Sequence, residues 1–320
     1  MIQREYSIDF LKFFAAILIT NSHLDSFEPS YSMSVGGTFG DVLFLFCSGY
    51  TLFLGRMGRF DNWFKRRLKR LFPPVLCWGI ISAFLFAVRR PIDNIIVEGG
   101  GWFVQCIFIY YLLAYPIRKY AIKYITAIFF AVFAFSFVWY YYTADGEGFS
   151  MYGWNYVKWL FFFLFFLQGA MVGYSQSEKK MSFTLSLTGL IVCAMFWYIT
   201  YVLPLKYNYP PLCQFLSLLP LIGFSFFFYK WCKSDAMNRI FHNKLLNPVI
   251  RSVGGLCFEI YLVQSLLFFS YKNIISYPGN MLFIWIAVLF WAYILHIFSN
   301  FFVQTIADGD YDWKKILKIY

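Results

Sequence analysis

Apolar runs of membrane-spanning length recur along almost the whole of this chain and leave room for little else. About twenty apolar residues at 1.5 Å per residue match the ~30 Å hydrocarbon core of a bilayer. A window of roughly 19 residues picks out about ten such runs, at 8–27, 37–56, 71–88, 101–117, 121–142, 153–174, 181–202, 209–230, 252–275 and 278–303. In lipid every backbone N–H and C=O has to be satisfied within the structure, so only helices and closed barrels cross. Barrel strands alternate in polarity over about ten residues, whereas these runs are continuous. Only 13% of the 320 residues are charged, against about 25% in an ordinary soluble domain. The expected fold is an all-α polytopic transmembrane helical bundle of about ten spans, one domain over residues 1–320, with no sizeable soluble domain.

The net charge of +11 does not point to nucleic acid, because the basic residues sit in short connections between apolar runs, where they signal orientation. One set holds Arg56, Lys65, Arg66, Arg67, Lys69 and Arg70. On the same side follow Arg118 and Lys123, Lys179 and Lys180, Lys230 to Lys244, and Lys314 to Lys318. The alternate set is poorer: Asp25 and Glu28, Arg89 and Arg90 with Asp93 and Glu98, Asp145 and Glu147, Lys206, Lys272. Positive connections stay cytoplasmic, so both termini are expected inside, as an even number of spans also requires. The seven cysteines are scattered without metal-ligand spacing and read as buried thiols; no metal is expected. The first run carries Asp9 and Lys12 and lacks a short apolar core with a cleavage site, so no cleavable leader is expected.

That first run, "SIDFLKFFAAILITNSHLDSF", holds the most informative residues. Ionisable groups at mid-membrane cost about 2.5–3.5 kcal/mol each on insertion scales and mark interior-facing chemistry. His23 follows Lys12 by eleven residues, about 16 Å and about 20° of helix rotation, so both are expected on one face. Asp9 and Lys12 form an i,i+3 pair that neutralises itself. Asp41 opens the second run at a similar depth to His23. A carboxylate beside an imidazole orients it and raises its basicity, as a general base requires; capping the second helix is the alternative role.

"FKRRLKRLFPPV" places Arg67 and Arg70 one helical turn apart. They could grip phosphates together, although a topology signal alone would explain the stretch. His242 reads as a solvated loop residue, and His296 as a core residue among ordinary aromatic neighbours. Glu259 is a further intramembrane acid, facing the interior or snorkelling to the interface. Gly36-Gly37 and Ser48-Gly49-Tyr50 are too short to carry meaning alone. No zinc, phosphate-loop, hydrolase-elbow or dinucleotide motif occurs.

Taken in order, these segments resemble the acyltransferase-3 family of multi-pass membrane O-acyltransferases. "IDFLKFFAAILITNSHL" is similar to its first-span pattern of Asp, a basic residue and a later His. "GDVLFLFCSGYTLF" resembles its second-span phenylalanine run ending in Ser-Gly-aromatic. "KRRLKRLFPPV" resembles its paired basic residues followed by Pro. "GWFVQCIFIYYLLAYPI", "FFLQGAMVGY" with Gly169 and Gly173, and "FEIYLVQSLLF" continue the likeness, which covers residues 5–303. Three departures stand out: Lys12 where many members have Arg, Gln264 where the late His is usual, and "QCIFIYY" where many carry a Glu-rich stretch. No hydrolase-like domain of the kind that some members append is expected.

The resemblance implies an O-acyltransferase of the bacterial plasma (inner) membrane, embedded in membrane lipids. It would move an acyl group, commonly acetyl, from cytoplasmic acyl-CoA to a hydroxyl of a cell-envelope glycan or lipid-linked sugar. Acyl-CoA is then a donor substrate and no cofactor is bound. Arg67 and Arg70 would hold the CoA phosphates. His23 would act as base or transient acyl carrier, with Lys12 along the path, Asp9 beside it and Asp41 or Asn21 orienting the ring. Homo-oligomerisation stays open. A transporter or flippase of a glycan intermediate or organic anion would suit the same charged interior.

Overall fold

The computed structural model describes residues 5–25, 27, 34–55, 57–85, 101–144, 149–153, 156–175, 180–271, 274–307 and 309–319. Of the residues assigned to topology, Glu28, Arg56, Arg89, Arg90, Asp93, Glu98, Asp145, Glu147, Lys179 and Lys272 lie outside them. The described residues are helical, with no strand among them. The helices are α1 (Tyr6–Asn21), α2 (Gly37–Leu54), α3 (Phe60–Leu85), α4 (Gly101–Tyr120), α5 (Ile125–Thr143), α6 (Lys158–Ser175) and α7 (Phe183–Trp197). After them come α8 (Leu218–Cys232), α9 (Asp235–Phe241), α10 (Leu246–Gly255), α11 (Cys257–Tyr271), α12 (Gly279–Thr305) and α13 (Trp313–Leu317).

Six segments are long and apolar enough to cross a membrane: Gly37–Leu54, Ile122–Thr143, Lys158–Ser175, Phe183–Lys206, Pro211–Cys232 and Gly279–Thr305. The pair α10 and α11, bent by 70°, makes a seventh if it is one span. The other expected runs are helical too, but α1 is only 16 residues long.

Two boundaries differ from expectation for physical reasons. The basic stretch before Pro73 is not a loop; it forms the first turns of α3, which runs through Pro73 and Pro74. Lys, Arg and Leu are good helix formers, and Asp61 in the first turn complements the helix dipole. Each Pro lacks an N–H, which releases the carbonyls of Lys69 and Arg70 from the helical ladder. The first helix, in turn, stops at Asn21 and not near 27. Asn, Ser and Asp side chains compete for backbone partners. Ser22 Oγ donates to the Ile19 carbonyl at 2.8 Å, and Asn21 Nδ2 donates to the Val35 carbonyl at 3.0 Å. The chain beyond tightens into three-residue turns, with His23 N on Thr20 O and Leu24 N on Asn21 O, both at 3.1 Å.

The chain divides into two compact units. The first comprises Met1–Leu11, Asp41–Arg56 and Pro116–Asn247. Its centre is the contact of α2 with α6. A Cβ on Gly49 would lie 1.9 Å from the Phe166 carbonyl oxygen, one on Gly169 2.0 Å from that of Phe46, and one on Gly173 2.6 Å from that of Tyr50. The two backbones therefore touch, and only glycine fits at these positions. Polar side chains are satisfied internally: Ser225 Oγ donates to Gln168 Oε1 at 2.6 Å, and Gln168 Nε2 donates to the Ile222 carbonyl at 2.9 Å. At the start of α1, Glu5 accepts hydrogen bonds from Tyr50 and from Tyr229 and pairs with Lys233 at 3.3 Å.

The second unit comprises Lys12–Gly40, Met57–Tyr115 and Pro248–Tyr320. In it the first turn of α2 seats on the end of α1. Gly36 has φ +110°, and a Cβ on Gly40 would lie 2.9 Å from Ile19 N and 3.0 Å from Ala15 O. The Gly36-Gly37 pair therefore does carry meaning, as a backbone turn. Residues 311–319 fold back along one face of α12. Gln304 exchanges two hydrogen bonds with the Asp312 backbone, at 2.8 and 3.3 Å. Asn300 donates to the Ile316 carbonyl at 3.2 Å, and Tyr293 to that of Leu317 at 3.3 Å.

Gly169→Leu should abolish the folded protein and Gly169→Ala should cost about 3 kcal/mol or more, since the new atoms meet backbone that has no slack. Gly58→Ala, with nothing within 4 Å of its Cβ, should be silent. Size-exclusion profiles and melting of the solubilised variants check this.

Candidate active site

The site is built outward from the end of α1. Thr20 and Gln264, on α11, are both buried, at 1% and 2% exposure. Thr20 Oγ1 donates to Gln264 Oε1 at 3.2 Å. On the other side of His23, Leu24 and Phe27 are buried. The Phe27 ring packs 5.8 Å from Phe268, and its carbonyl accepts from Asn280 Nδ2 at 2.7 Å. His23 is thus held between two fixed points, three residues after one and four before the other.

His23 is exposed. Enough protein surrounds it that desolvation draws its pKa below the ordinary 6.5, with the Asp25 carboxylate pulling the other way. Desolvation therefore favours the neutral imidazole, the form with a lone pair available. Because α1 ends at Asn21, His23 does not continue the helical face of Lys12; it hangs from the turn beyond it.

Asp9, 4% exposed, and half-buried Lys12 stand one turn apart near the start of α1. Asp41 is the fifth residue of α2, just past its first turn, and belongs to the first unit, whereas His23 belongs to the second. Within the first unit the cation that acts on Asp41 is Lys158, buried at the start of α6. The carboxylate acting on His23 is Asp25, which sequence spacing had assigned only to an outer loop. Asn21, considered for orienting the ring, donates its amide to Val35.

Arg67 and Arg70 are one turn apart on α3, as expected, but in unlike settings. Arg70 is exposed, whereas Arg67 is half-buried with its guanidinium 5.5 Å from the ring of fully buried Trp63. An aromatic group fixes this turn: Tyr115 packs against Phe60 and Trp63 at 5.0 and 5.4 Å, and its hydroxyl donates to the Gly58 carbonyl at 3.0 Å. Among the described residues neither arginine has an acidic partner. Burial, together with Arg70 and Arg66 alongside, pulls the Arg67 pKa down. Crowded, unpaired cations of this kind gain from an anion.

His242 is exposed, as expected. His296 is not among ordinary aromatic neighbours. Its Nδ1 lies 3.1 Å from Glu259 Oε1 and its Nε2 3.1 Å from the Lys318 carbonyl, with Asn300 Nδ2 2.9 Å from the same nitrogen. Glu259 faces the interior. The i,i+4 spacing of His296 and Asn300 on one helix face was the available signal. His296→Ala would leave Glu259 buried without its imidazole, a penalty of about 1–3 kcal/mol. Limited proteolysis should then cut residues 311–319 roughly tenfold faster, with the rest of the chain unaffected.

The comparisons with known proteins now bear on this arrangement. The acyltransferase domain model matches residues 5–304, nearly the whole chain. The chain belongs to the acyltransferase-3 family. No curated protein and no solved structure gave a match. Membership supports an acyltransferase, and the apolar helices support an integral membrane protein.

Proposed function

We infer that this member of the acyltransferase-3 family transfers an acyl group, acetyl being the expected one, from cytoplasmic acyl-CoA to a hydroxyl of a cell-envelope glycan or lipid-linked sugar. The observation that carries the reading is His23, held between two buried anchors on a chain matched over residues 5–304 by the family model. The acceptor hydroxyl gives its proton to His23 as its oxygen attacks the thioester carbonyl. The new C–O bond forms, the C–S bond breaks, and the departing thiolate takes the proton from the imidazolium. Arg67 and Arg70 hold the phosphates of the donor. Ten spans with both termini cytoplasmic, in a bacterial plasma membrane, would put the arginines on the side where acyl-CoA is found. Asp9 and Lys12 compensate each other near the inner end of α1.

The break between α10 and α11 favours one other reading, a transporter of a glycan intermediate or organic anion, since interrupted helices are a feature of transporter sites. Dependence on acyl-CoA separates the two.

The test is incorporation of radiolabelled acetyl groups from acetyl-CoA into envelope glycan by membranes carrying the protein. His23→Ala should reduce incorporation by at least about 100-fold with normal amounts of folded protein; wild-type incorporation by that variant would defeat the mechanism. His23 serves as base only in its neutral form, so the rate should be lost as pH falls through its lowered pKa. The acid limb should therefore lie below pH 6.5, and Asp25→Asn should move it lower still. Arg70→Ala should raise the KM for acetyl-CoA by about 10-fold or more, the scale of one charge-assisted hydrogen bond. Arg70→Lys should recover part of that loss.

A further inference from the structure

His296, on α12, has an oxygen against each ring nitrogen. Glu259 Oε1, from α11, lies 3.1 Å from Nδ1, and the Lys318 carbonyl oxygen lies 3.1 Å from Nε2. While Glu259 is ionised neither oxygen brings a proton, so both bonds form only if each nitrogen carries one. The equivalent arrangement puts one proton on the Glu259 carboxyl, which donates to Nδ1, and leaves the other on Nε2. In both arrangements the Glu259–His296 pair is net neutral. Removing one proton leaves the pair negatively charged, with a single N–H for two oxygens. The carboxylate, the charged acceptor, takes that N–H. The Lys318 carbonyl then faces a lone pair.

A donor for that lone pair is already in place. Asn300, one turn along α12, sets its Nδ2 2.9 Å from Nε2. With the proton present, Nε2 donates to the Lys318 carbonyl and Asn300 donates to that of Ile316 at 3.2 Å. With the proton gone, Nε2 accepts from Asn300 and the ring offers Lys318 nothing. Each state satisfies the imidazole, but only one of them holds residue 318. Glu259 and Asn300 sit inside helices, whereas Lys318 lies just past the end of α13, so the chain end is the part that yields.

That chain end also covers a break in the fold. Ile319 seats on Gly255: a Cβ there would lie 2.9 Å from Ile319 Cγ2 and 3.3 Å from its carbonyl oxygen. Gly255 ends α10 at the 70° bend into α11. Glu259 is the charged group that acts on the ring. From α3, also packed on α12, come Trp78 against Trp291 and Cys77 against Ser299. Half-buried Arg251 stands on α10 one turn before Gly255. Lys314, Lys315 and Lys318 are exposed, and Lys315 pairs with Asp312 at 2.9 Å.

We propose that residues 311–319 form a proton-controlled latch: the Glu259–His296 pair holds them over the α10–α11 break while it is net neutral, and releases Lys318 and Ile319 when it loses one proton. The closed form binds the extra proton. Closure is therefore favoured at low pH and lost as pH rises through the titration of the pair.

Hydrogen exchange of the full-length protein in detergent micelles tests this. Protection factors, which remove the intrinsic pH dependence of exchange, are read at Asp312, Lys315 and Ile316, whose amides are bonded in the closed strap. Between about pH 5.5 and about pH 8.5, either side of the ordinary histidine value and away from those of Asp and Lys, they should fall by about 10-fold or more, one proton giving at most tenfold per pH unit. Amides inside α12 should not change. His296→Ala should leave the strap weakly protected at both pH values. Glu259→Gln should keep it protected at both, because a neutral amide donates to Nδ1 and leaves the Nε2 proton to Lys318. Wild-type protection that is the same at both pH values overturns the proposal. So does a fall of wild-type size in either variant. If His296→Ala does not fold, Glu259→Gln decides alone. Exchange is read without substrate, so a chain that transfers no acyl group leaves this result standing.

Discussion

Backbone contact between α2 and α6 is the constraint on which the first unit depends. Lipid tails are as apolar as leucine, so a hydrophobic face gives two membrane helices no reason to associate. What remains is close packing, and close packing needs small residues. Gly49, Gly169 and Gly173 bring carbonyl oxygens to where a Cβ would otherwise be, at 1.9, 2.0 and 2.6 Å from its ideal position. The contact is reciprocal, each helix offering glycine to the other's carbonyls, so register is fixed as well as distance. Asp41, one turn before Leu45 on the same helix, and Lys158, at the head of α6, inherit their mutual placement from it. So does Tyr50, which is thereby set to donate to Glu5 and hold the start of α1.

In the second unit the corresponding problem is the end of a helix, and it is solved with polar side chains. Asn21 and Ser22 draw backbone groups out of the helical ladder, and Gly36 and Gly40 let the next helix begin against the one just ended. A histidine placed beyond such an end gains freedom that a mid-helix residue lacks. Here that freedom is removed again by Thr20 on one side and by Leu24 and Phe27 on the other. The result is a main chain fixed on both sides of an exposed imidazole, as the proposed base would require.

Helix existence was legible in the sequence because continuous apolar runs admit no other backbone solution in lipid, and each of the ten runs has a helix. Helix ends were less so. The competition at Asn21 and Ser22 depends on where Val35 arrives, fourteen residues later, and no local pattern reports that. The extension of α3 into "NWFKRRLKRLF" was masked by the two prolines, which suggest a break, and by a charge run that suggests a loop. His23 and the two arginines were legible as ionisable groups where such groups are costly or clustered. Gln264 was noticed only as a departure from the family's late histidine. Its bond to Thr20 joins residues 244 positions apart, which spacing arguments along one helix cannot reach. The same limit hid the pairing of Glu259 with His296: each was visible alone, as an acid and as a lone imidazole.

That departure also says something about the division of labour at the site. An amide has no basic nitrogen, so glutamine cannot take up a proton at a position where other members of the family carry histidine. What glutamine and a neutral imidazole share is an N–H donor on a side chain of similar reach. Position 264 holds Thr20 through its amide oxygen and takes up no proton, so in the proposed reaction the imidazole that accepts one is His23. A lowered pKa is an advantage for His23 on those terms. Desolvation favours the neutral imidazole, the form the proposed base requires, and weakens its hold on a proton that it has to pass on.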